Sequence, residues 1–170
     1  MPFFLRKVRF NRWFNIEECP WLAKDELPAD PLGDLETSNN ELSLWQIEED
    51  QSNLERIITA IAANRESVQN VDYILFNQEI FSEIGINIKK IDGSTPDKEA
   101  NTSWHCDLIQ LSAQKLVKLT AKIVYSNVEP VRVKESRVTQ LIKNAIESGQ
   151  LDTTKIKIGI LERINKKLDH

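Results

Sequence analysis

The sequence is poor in the residues from which recognisable catalytic and metal-binding motifs are built. It has 5 glycines, 2 cysteines and 2 histidines in 170 residues. The glycines are dispersed, so they form neither a phosphate-binding loop nor a dinucleotide-binding fingerprint. The motifs of serine hydrolases, zinc metalloproteases, EF-hands and kinases are absent as well. These absences favour a protein that binds rather than catalyses, and leave an enzyme as the alternative.

The few cysteines and the lack of long apolar runs point to one compartment. Cys19 and Cys106 are far apart and form no CxxC motif, which predicts two reduced thiols rather than a disulfide framework or a zinc site. No apolar run approaches the roughly 18–20 residues that cross a bilayer. Residues 1–14 also lack the uninterrupted apolar core of a secretory signal. We therefore expect a cytoplasmic protein without a membrane partner.

Charge is plentiful but strongly sorted along the chain. The basic N-terminal segment (residues 1–12) has four basic residues and no acidic one. The acidic middle (residues 13–110) has 6 Lys and Arg against 20 Asp and Glu, a net of −14. The basic C-terminal third (residues 111–170) has 12 Lys and Arg against 6 Asp and Glu, a net of +6. The total of −4 therefore conceals an acidic middle that lies between two basic segments.

Apolar periodicity predicts a β-strand, an α-helix and a second β-strand in the acidic middle. Residues 42–47 alternate between apolar and polar, and residues 71–76 form a short apolar run. Between them, residues 54–62 place apolar side chains at helical spacing, after a capping-box pattern formed by Ser52 and Glu55. This order predicts a βαβ unit, in which the two strands run parallel.

The remainder of the chain completes an α+β fold. Residues 86–91 predict a further strand, and about three helices follow Ser112, a residue suited to cap the first of them. We expect a single domain over residues 1–170, with a βαβ-containing mixed sheet on which the C-terminal helices pack. Its three parts are an extended N-terminal segment (1–41), a βαβ-containing sheet region (42–111) and a helical region (112–170).

Acidic residues follow both strands of the predicted βαβ unit. Glu48, Glu49 and Asp50 come after the first strand, and Glu79 comes shortly after the second. Because the carboxyl ends of parallel strands meet at one edge of a sheet, these side chains are candidate catalytic groups. Glu48, Asp50 and Glu79 are also candidate ligands for a divalent cation such as Mg²⁺. The alternative is that these acids only complement the N-terminal ends of helices.

A single internal histidine is the remaining catalytic candidate. His105 lies in the run His105-Cys106-Asp107, where three reactive side-chain types are adjacent. Neighbouring residues point in different directions on a strand and on a helix, so adjacency does not make a nucleophile and base pair. His105 is therefore either part of a pocket or a hydrogen-bonded structural residue.

The basic C-terminal third supplies the candidates for macromolecule binding. Lys115, Lys118 and Lys122 fall on one side of the first predicted C-terminal helix. The leading hypothesis is a non-catalytic binding or regulatory module that recognises another protein, or a second copy of itself, through segregated charge. One alternative is a small metal-dependent enzyme or ligand-binding protein that uses the acidic sheet edge. The other is nucleic-acid binding through the basic helices.

Overall fold

A computed structural model describes residues 2–13, 17, 19–23 and 26–165, together with the main chain of Lys166. The strands, in chain order, are β1 (Phe3–Lys7), β2 (Leu42–Ile47), β3 (Val71–Asn77), β4 (Asn87–Lys90), β5 (His105–Ile109) and β6 (Val131–Val133). The α-helices are α1 (Ala29–Asp34), α2 (Leu54–Ala63), α3 (Glu79–Ile84), α4 (Lys98–Ser103), α5 (Ala113–Tyr125), α6 (Glu135–Glu147) and α7 (Ile158–Lys166). Short 3₁₀ turns occupy Phe10–Arg12 and Thr153–Lys155.

The six strands form one sheet in the order β4-β5-β2-β1-β3-β6. The predicted α+β fold with helices packed on a sheet is confirmed. The βαβ unit is present but divided, because β1 lies between β2 and β3 and pairs antiparallel with both. β2 and β3 therefore run in the same direction without touching. Every pair of neighbouring strands is antiparallel, so the sheet is not mixed as predicted.

Helices cover both faces of this sheet. One apolar cluster fills the space between the sheet and α2, α6 and α7, and includes Leu5 and Ile47 of the strands. The other lies between the opposite face and the α3 and α5 helices, and includes Phe4 and Leu44. Because successive side chains of a strand point to opposite faces of the sheet, Phe4 packs in one layer and Leu5 packs in the other. The three C-terminal helices divide between the layers, α5 on one face and α6 and α7 on the other.

The α2 helix confirms the predicted apolar face but not the predicted cap. Ile57, Ile58 and Ile61 are buried in the cluster beneath α6 and α7. The helix begins one residue after Asn53, whose side-chain oxygen accepts a hydrogen bond from Glu48 N–H. Ser52 and Glu55 form no capping box, since Glu55 instead pairs with Arg137 of α6.

Local geometry explains the start of α5, which was predicted at Ser112, and the end of α3. Ser112 caps α5 by accepting a hydrogen bond from Lys115 N–H at 3.2 Å. α3 ends at Gly85, whose φ of 70° suits glycine. Val117 of α5 is 42% exposed, whereas Leu119 and Thr120 of the same helix are buried. Among the described residues no helix is long and apolar enough to cross a membrane.

Candidate functional site

The acidic residues that follow β2 and β3 lie at the same end of the sheet, as predicted. Phe3 pairs with both Ile47 and Asn77, so the two strands finish level with each other on either side of β1. The chain then leaves them in opposite directions. After β2 it forms α2 on one face, and after β3 it forms α3 on the other. The sheet therefore separates Glu48 from Glu79, and the predicted convergence does not occur.

Glu48, Glu49 and Asp50 line a shallow depression beside α2. The depression also contains Arg56 and Trp104. Glu48 Oε1 accepts a hydrogen bond from Trp104 Nε1 at 3.0 Å, and the Arg56 guanidinium lies over the Trp104 ring.

Asp50 has a local structural partner as well. Its carboxylate accepts a hydrogen bond from Ser52 N–H at 3.0 Å, and hydrogen bonding to Ser52 lowers the pKa of Asp50. Glu79 lines a different depression, next to Phe81 and Ile88. Within residues 2–13, 17, 19–23 and 26–166, no three His, Cys, Asp or Glu side chains are grouped to hold a metal ion.

His105 is placed by structural contacts and does not face the acidic depression. Its Nδ1 lies 2.8 Å from Ile91 O, and its ring packs edge-on against Trp45 at 4.8 Å between centroids. Its Nε2 lies 3.9 Å from Asp107 Oδ1. The site candidates Glu48, Asp50, Glu79 and His105 therefore occupy separate places.

Cys106 has the properties of a core residue rather than a nucleophile. It points away from His105 into the cluster beneath α5, and its Sγ lies 3.8 Å from Leu44 O. Burial raises the pKa of Cys106 to about 12, with a further contribution from the negative charge of Asp107. A thiol with so high a pKa is protonated at neutral pH and is a poor nucleophile.

Folding joins the charges that the sequence keeps apart. Four ion pairs among the described residues connect the acidic middle to the basic C-terminal third. They are Glu83–Lys122, Asp72–Arg132, Glu55–Arg137 and Glu66–Lys157. Much of the opposite charge is therefore neutralised within one chain, and each such surface pair contributes little to stability.

Two lysines of the predicted basic stripe remain without an acidic partner. Lys122 pairs with Glu83, but in the described part of the chain no carboxylate lies within 4 Å of Lys115 or Lys118. Lys118 and Lys122 are exposed on α5, and Lys115 is half-buried. The prediction that these three residues share one side of a helix agrees with the position of α5.

An apolar stripe runs beside these lysines. Val117, Ala121 and Tyr125 follow one another at i, i+4 and i+8, and thus lie in a row on α5. Val117 is 42% and Tyr125 is 46% exposed. With Ile84 of α3, part of this row borders a shallow groove of about 420 Å³, which also contains Lys118 and Lys122. The i, i+4, i+8 spacing of these three residues is visible in the sequence, but the sequence does not show that their side chains are exposed.

The α5 surface combines exposed apolar side chains with adjacent positive charge. Such a combination buries apolar area against a partner and selects for negative charge. Arg56, which lines the acidic depression near Glu48, is by contrast paired with Asp97 and Glu99. Comparison of the chain with protein-family models, with curated proteins and with solved structures gives no match.

Proposed function

We propose that this protein is a non-catalytic recognition module that binds an acidic segment of a partner protein on the surface of α5. The observation that carries the proposal is the row of Val117, Ala121 and Tyr125 beside Lys118 and Lys122. The row supplies apolar contact, and Lys118, which has no carboxylate within 4 Å among the described residues, supplies selectivity for a negatively charged partner. Recognition takes place in the cytoplasm, where the free Cys19 and Cys106 stay reduced.

The shape of the surface favours an amphipathic helix as the bound segment. The groove between α3 and α5 lies along a helix, and Ile84 and Tyr125 both border it. Helices recognised in grooves present apolar anchors at i, i+3 or i+4 spacing. Glutamates that flank such anchors would meet Lys118, and their attraction would weaken as salt is added.

The proposal is tested with a defined peptide. The probe is a synthetic helical peptide with leucines at i, i+4 spacing and glutamates beside them, titrated into the ¹⁵N-labelled protein. We expect the amide resonances of α5 and α3 to shift, and the affinity to fall with added salt. A matched peptide with lysines in place of the glutamates should bind at least about tenfold more weakly, a difference of roughly 1.4 kcal/mol.

Variants of the protein locate the site. Lys118→Glu and Val117→Asp should each abolish the shifts, since the first reverses the selecting charge and the second places charge on the apolar row. Lys98→Glu on α4 is the matched control, because Lys98 is equally exposed but remote in the fold, and it should leave binding unchanged. Shifts confined to other surfaces, or insensitivity to Lys118→Glu, would refute the proposal.

Two further experiments separate the competing partners. Sedimentation at low and high salt should show one monomeric species, and a salt-sensitive dimer that Lys118→Glu dissociates would identify the partner as a second copy of this chain. A single-stranded oligonucleotide should bind more weakly than the acidic peptide. Tighter binding of the oligonucleotide would favour nucleic-acid recognition by the lysines instead.

A further inference from the structure

A cleft at the opposite end of the sheet collects positive charge from distant parts of the chain. It opens where β1 ends, where α2 ends and where β3 begins, and has a volume of about 660 Å³. This volume is typical of small-molecule sites, which span roughly 300–1,000 Å³. Its basic side chains are Arg6, Lys7, Arg9 and Arg65.

Hydrogen bonds to main-chain oxygens fix two of these guanidinium groups. Arg6 donates to Ser43 O at 2.9 Å and to Glu36 O at 3.3 Å. Arg65 donates to Asn70 O at 2.6 Å. A carbonyl oxygen orients a guanidinium but does not neutralise it. Both arginines therefore keep their full charge in a fixed position.

Acidic side chains also line the cleft, but three of them are engaged elsewhere. Asp34 accepts hydrogen bonds from Arg9 N–H at 2.7 Å and Trp13 Nε1 at 2.8 Å. Asp72 accepts two hydrogen bonds from Arg132. The third, Glu66, lies 3.6 Å from the ammonium group of Lys157.

No described carboxylate pairs closely with Lys7 or Arg65, although Asp34 and Asp72 act on them from a longer distance. Within the described residues, no carboxylate oxygen lies within 4 Å of either side chain. Desolvation lowers the pKa of Lys7, which is exposed at the end of β1, and the positive charges of Arg65, Arg6 and Arg9 lower it further, whereas Asp34 raises it. Burial likewise lowers the pKa of Arg6 and of Arg65. Positive charges that are partly desolvated and close together favour the entry of an anion.

We propose that this cleft binds a compact phosphate ester that carries hydroxyl groups, with Lys7, Arg65 and Arg6 around the phosphate. Phosphate matches the planar donor fork of arginine and the point charge of lysine. The carboxylate of Glu36 borders the same cleft and would accept hydrogen bonds from hydroxyl groups of the ligand. The site is distinct from the α5 surface and does not depend on the function proposed for it.

The acidic border also argues against a long polyanion. A nucleic acid places further phosphates beside the bound one, and these would approach Asp34, Glu36 and Glu66. A single phosphate group avoids this repulsion because the rest of a small ligand is neutral. The cleft therefore selects for one concentrated negative charge rather than for a charged chain.

Calorimetric titration of the whole protein at low ionic strength tests the assignment. The probes are glycerol phosphate, inorganic phosphate, glycerol and a single-stranded oligonucleotide. We expect glycerol phosphate to bind more tightly than inorganic phosphate, and glycerol not to bind. An oligonucleotide that binds more tightly than glycerol phosphate, or the absence of binding by both phosphates at millimolar concentration, would overturn the proposal.

Charge-removing variants connect the binding to the cleft. Lys7→Met and Arg65→Met should each weaken the binding of glycerol phosphate at least about tenfold, which is the usual effect of losing a hydrogen bond between charged groups. Lys89→Met is the matched control, since Lys89 is an exposed lysine on the edge strand β4, and should change the affinity less than twofold. Equal losses in all three variants would indicate nonspecific attraction and overturn the assignment.

A direct measurement on Lys7 avoids dependence on the folding of the variants. The side-chain resonance of Lys7 is followed with pH in lysine-labelled protein, with and without glycerol phosphate. Bound phosphate should move the titration of Lys7 to higher pH, and at constant pH it should leave the side-chain resonance of Lys89 unchanged. An unchanged titration of Lys7 at saturating ligand would place the phosphate elsewhere and refute the site.

Discussion

Arg56 of α2 binds the carboxylate of Asp97 through two parallel hydrogen bonds. Its Nε donates to Asp97 Oδ2 at 2.7 Å, and its Nη2 donates to Oδ1 at 3.0 Å. The Asp97 side chain is fully buried and also caps α4 by accepting from Ala100 N–H at 3.0 Å. Gln150 Nε2 donates to the same carboxylate at 3.0 Å. One carboxylate thereby joins α2, α4 and the loop after α6.

Removal of this carboxylate should strongly destabilise the fold. Asp97→Ala leaves the Arg56 guanidinium partly buried without its partner, and we expect a loss of about 3–5 kcal/mol in the free energy of unfolding. Urea denaturation measures the loss. Glu99→Ala is the matched control because Glu99 pairs with the same guanidinium, at 2.7 Å, from an exposed position. It should cost no more than about 1 kcal/mol, and equal losses in the two variants would contradict the account.

Asp72 should make the stability depend on acid pH. Hydrogen bonds from Arg132, which outweigh the opposing effect of burial, lower the pKa of Asp72 below its ordinary value of 3.8. A carboxyl group with a lower pKa in the folded state stabilises that state above the unfolded pKa, and this contribution disappears as the pH falls through the folded pKa.

Urea denaturation between neutral pH and strong acid tests this dependence. Asp72→Asn should be less stable than the wild type at neutral pH, and the difference should shrink once the pH falls below about 4. Glu129→Gln is the control, because Glu129 is exposed and has no ion-pair partner within the described residues. A difference between wild type and Asp72→Asn that persists in strong acid would rule out the charge as its cause.

Gly159 allows α7 to approach the loop that follows α2. A Cβ atom at this position would lie 2.9 Å from Glu66 O, a main-chain atom that cannot move aside independently. Gly159→Ala should therefore lower the free energy of unfolding by about 1–3 kcal/mol, despite the higher helix propensity of alanine.

Gly33→Ala is the matched control for this prediction. Its Cβ would meet Arg12 Nη1 at 3.7 Å, an ordinary contact, so alanine should be neutral or stabilise by up to about 1 kcal/mol. Thermal unfolding of both variants measures the difference. A Gly159→Ala protein as stable as Gly33→Ala would show that α7 moves away without cost.

Cys106 should resist alkylation until the protein unfolds. With the pKa of Cys106 at about 12 instead of 9.0, its thiolate fraction at pH 8 falls about a thousandfold. Iodoacetamide labelling, mapped to the Cys106 peptide by mass spectrometry, should be slow in buffer and fast in urea. Similar rates under both conditions would show that the Cys106 thiol is accessible and reactive in the folded protein.

Sequence patterns predicted the elements that depend on neighbouring residues. The apolar spacing of Ile57, Ile58 and Ile61 places α2. The cap formed by Ser112 is equally local. In each case the interaction lies within a few residues along the chain, so the sequence contains it directly.

The position of β1 could not be predicted in this way. Phe3 pairs with Ile47 and Asn77, residues 44 and 74 positions further along. A strand rich in aromatic residues indicates that a sheet exists but not which strands flank it. The same reason explains the candidate site: Glu48 and Glu79 were correctly placed at one end of the sheet, whereas the face each occupies depends on packing by distant helices.

Charge was predicted least well, because its meaning depends entirely on tertiary neighbours. Lys115, Lys118 and Lys122 were placed together from helical geometry alone. Their difference in pairing follows from Glu83, which α3 brings beside Lys122. Lys7 and Arg65 line the same cleft although they are 58 positions apart in the sequence, and neither belongs to a local motif that predicts this cleft.

The central place of β1 has a consequence for synthesis on the ribosome. β1 leaves the ribosome first among the strands, yet its second neighbour is complete only when Asn77 has been added. At about 5–20 residues per second, the edge of β1 that β3 covers waits on the order of 4–14 s without its partner. During that interval Phe3, Phe4 and Leu5 are accessible to other chains. Nascent copies are therefore most vulnerable to aggregation before β3 has been synthesised.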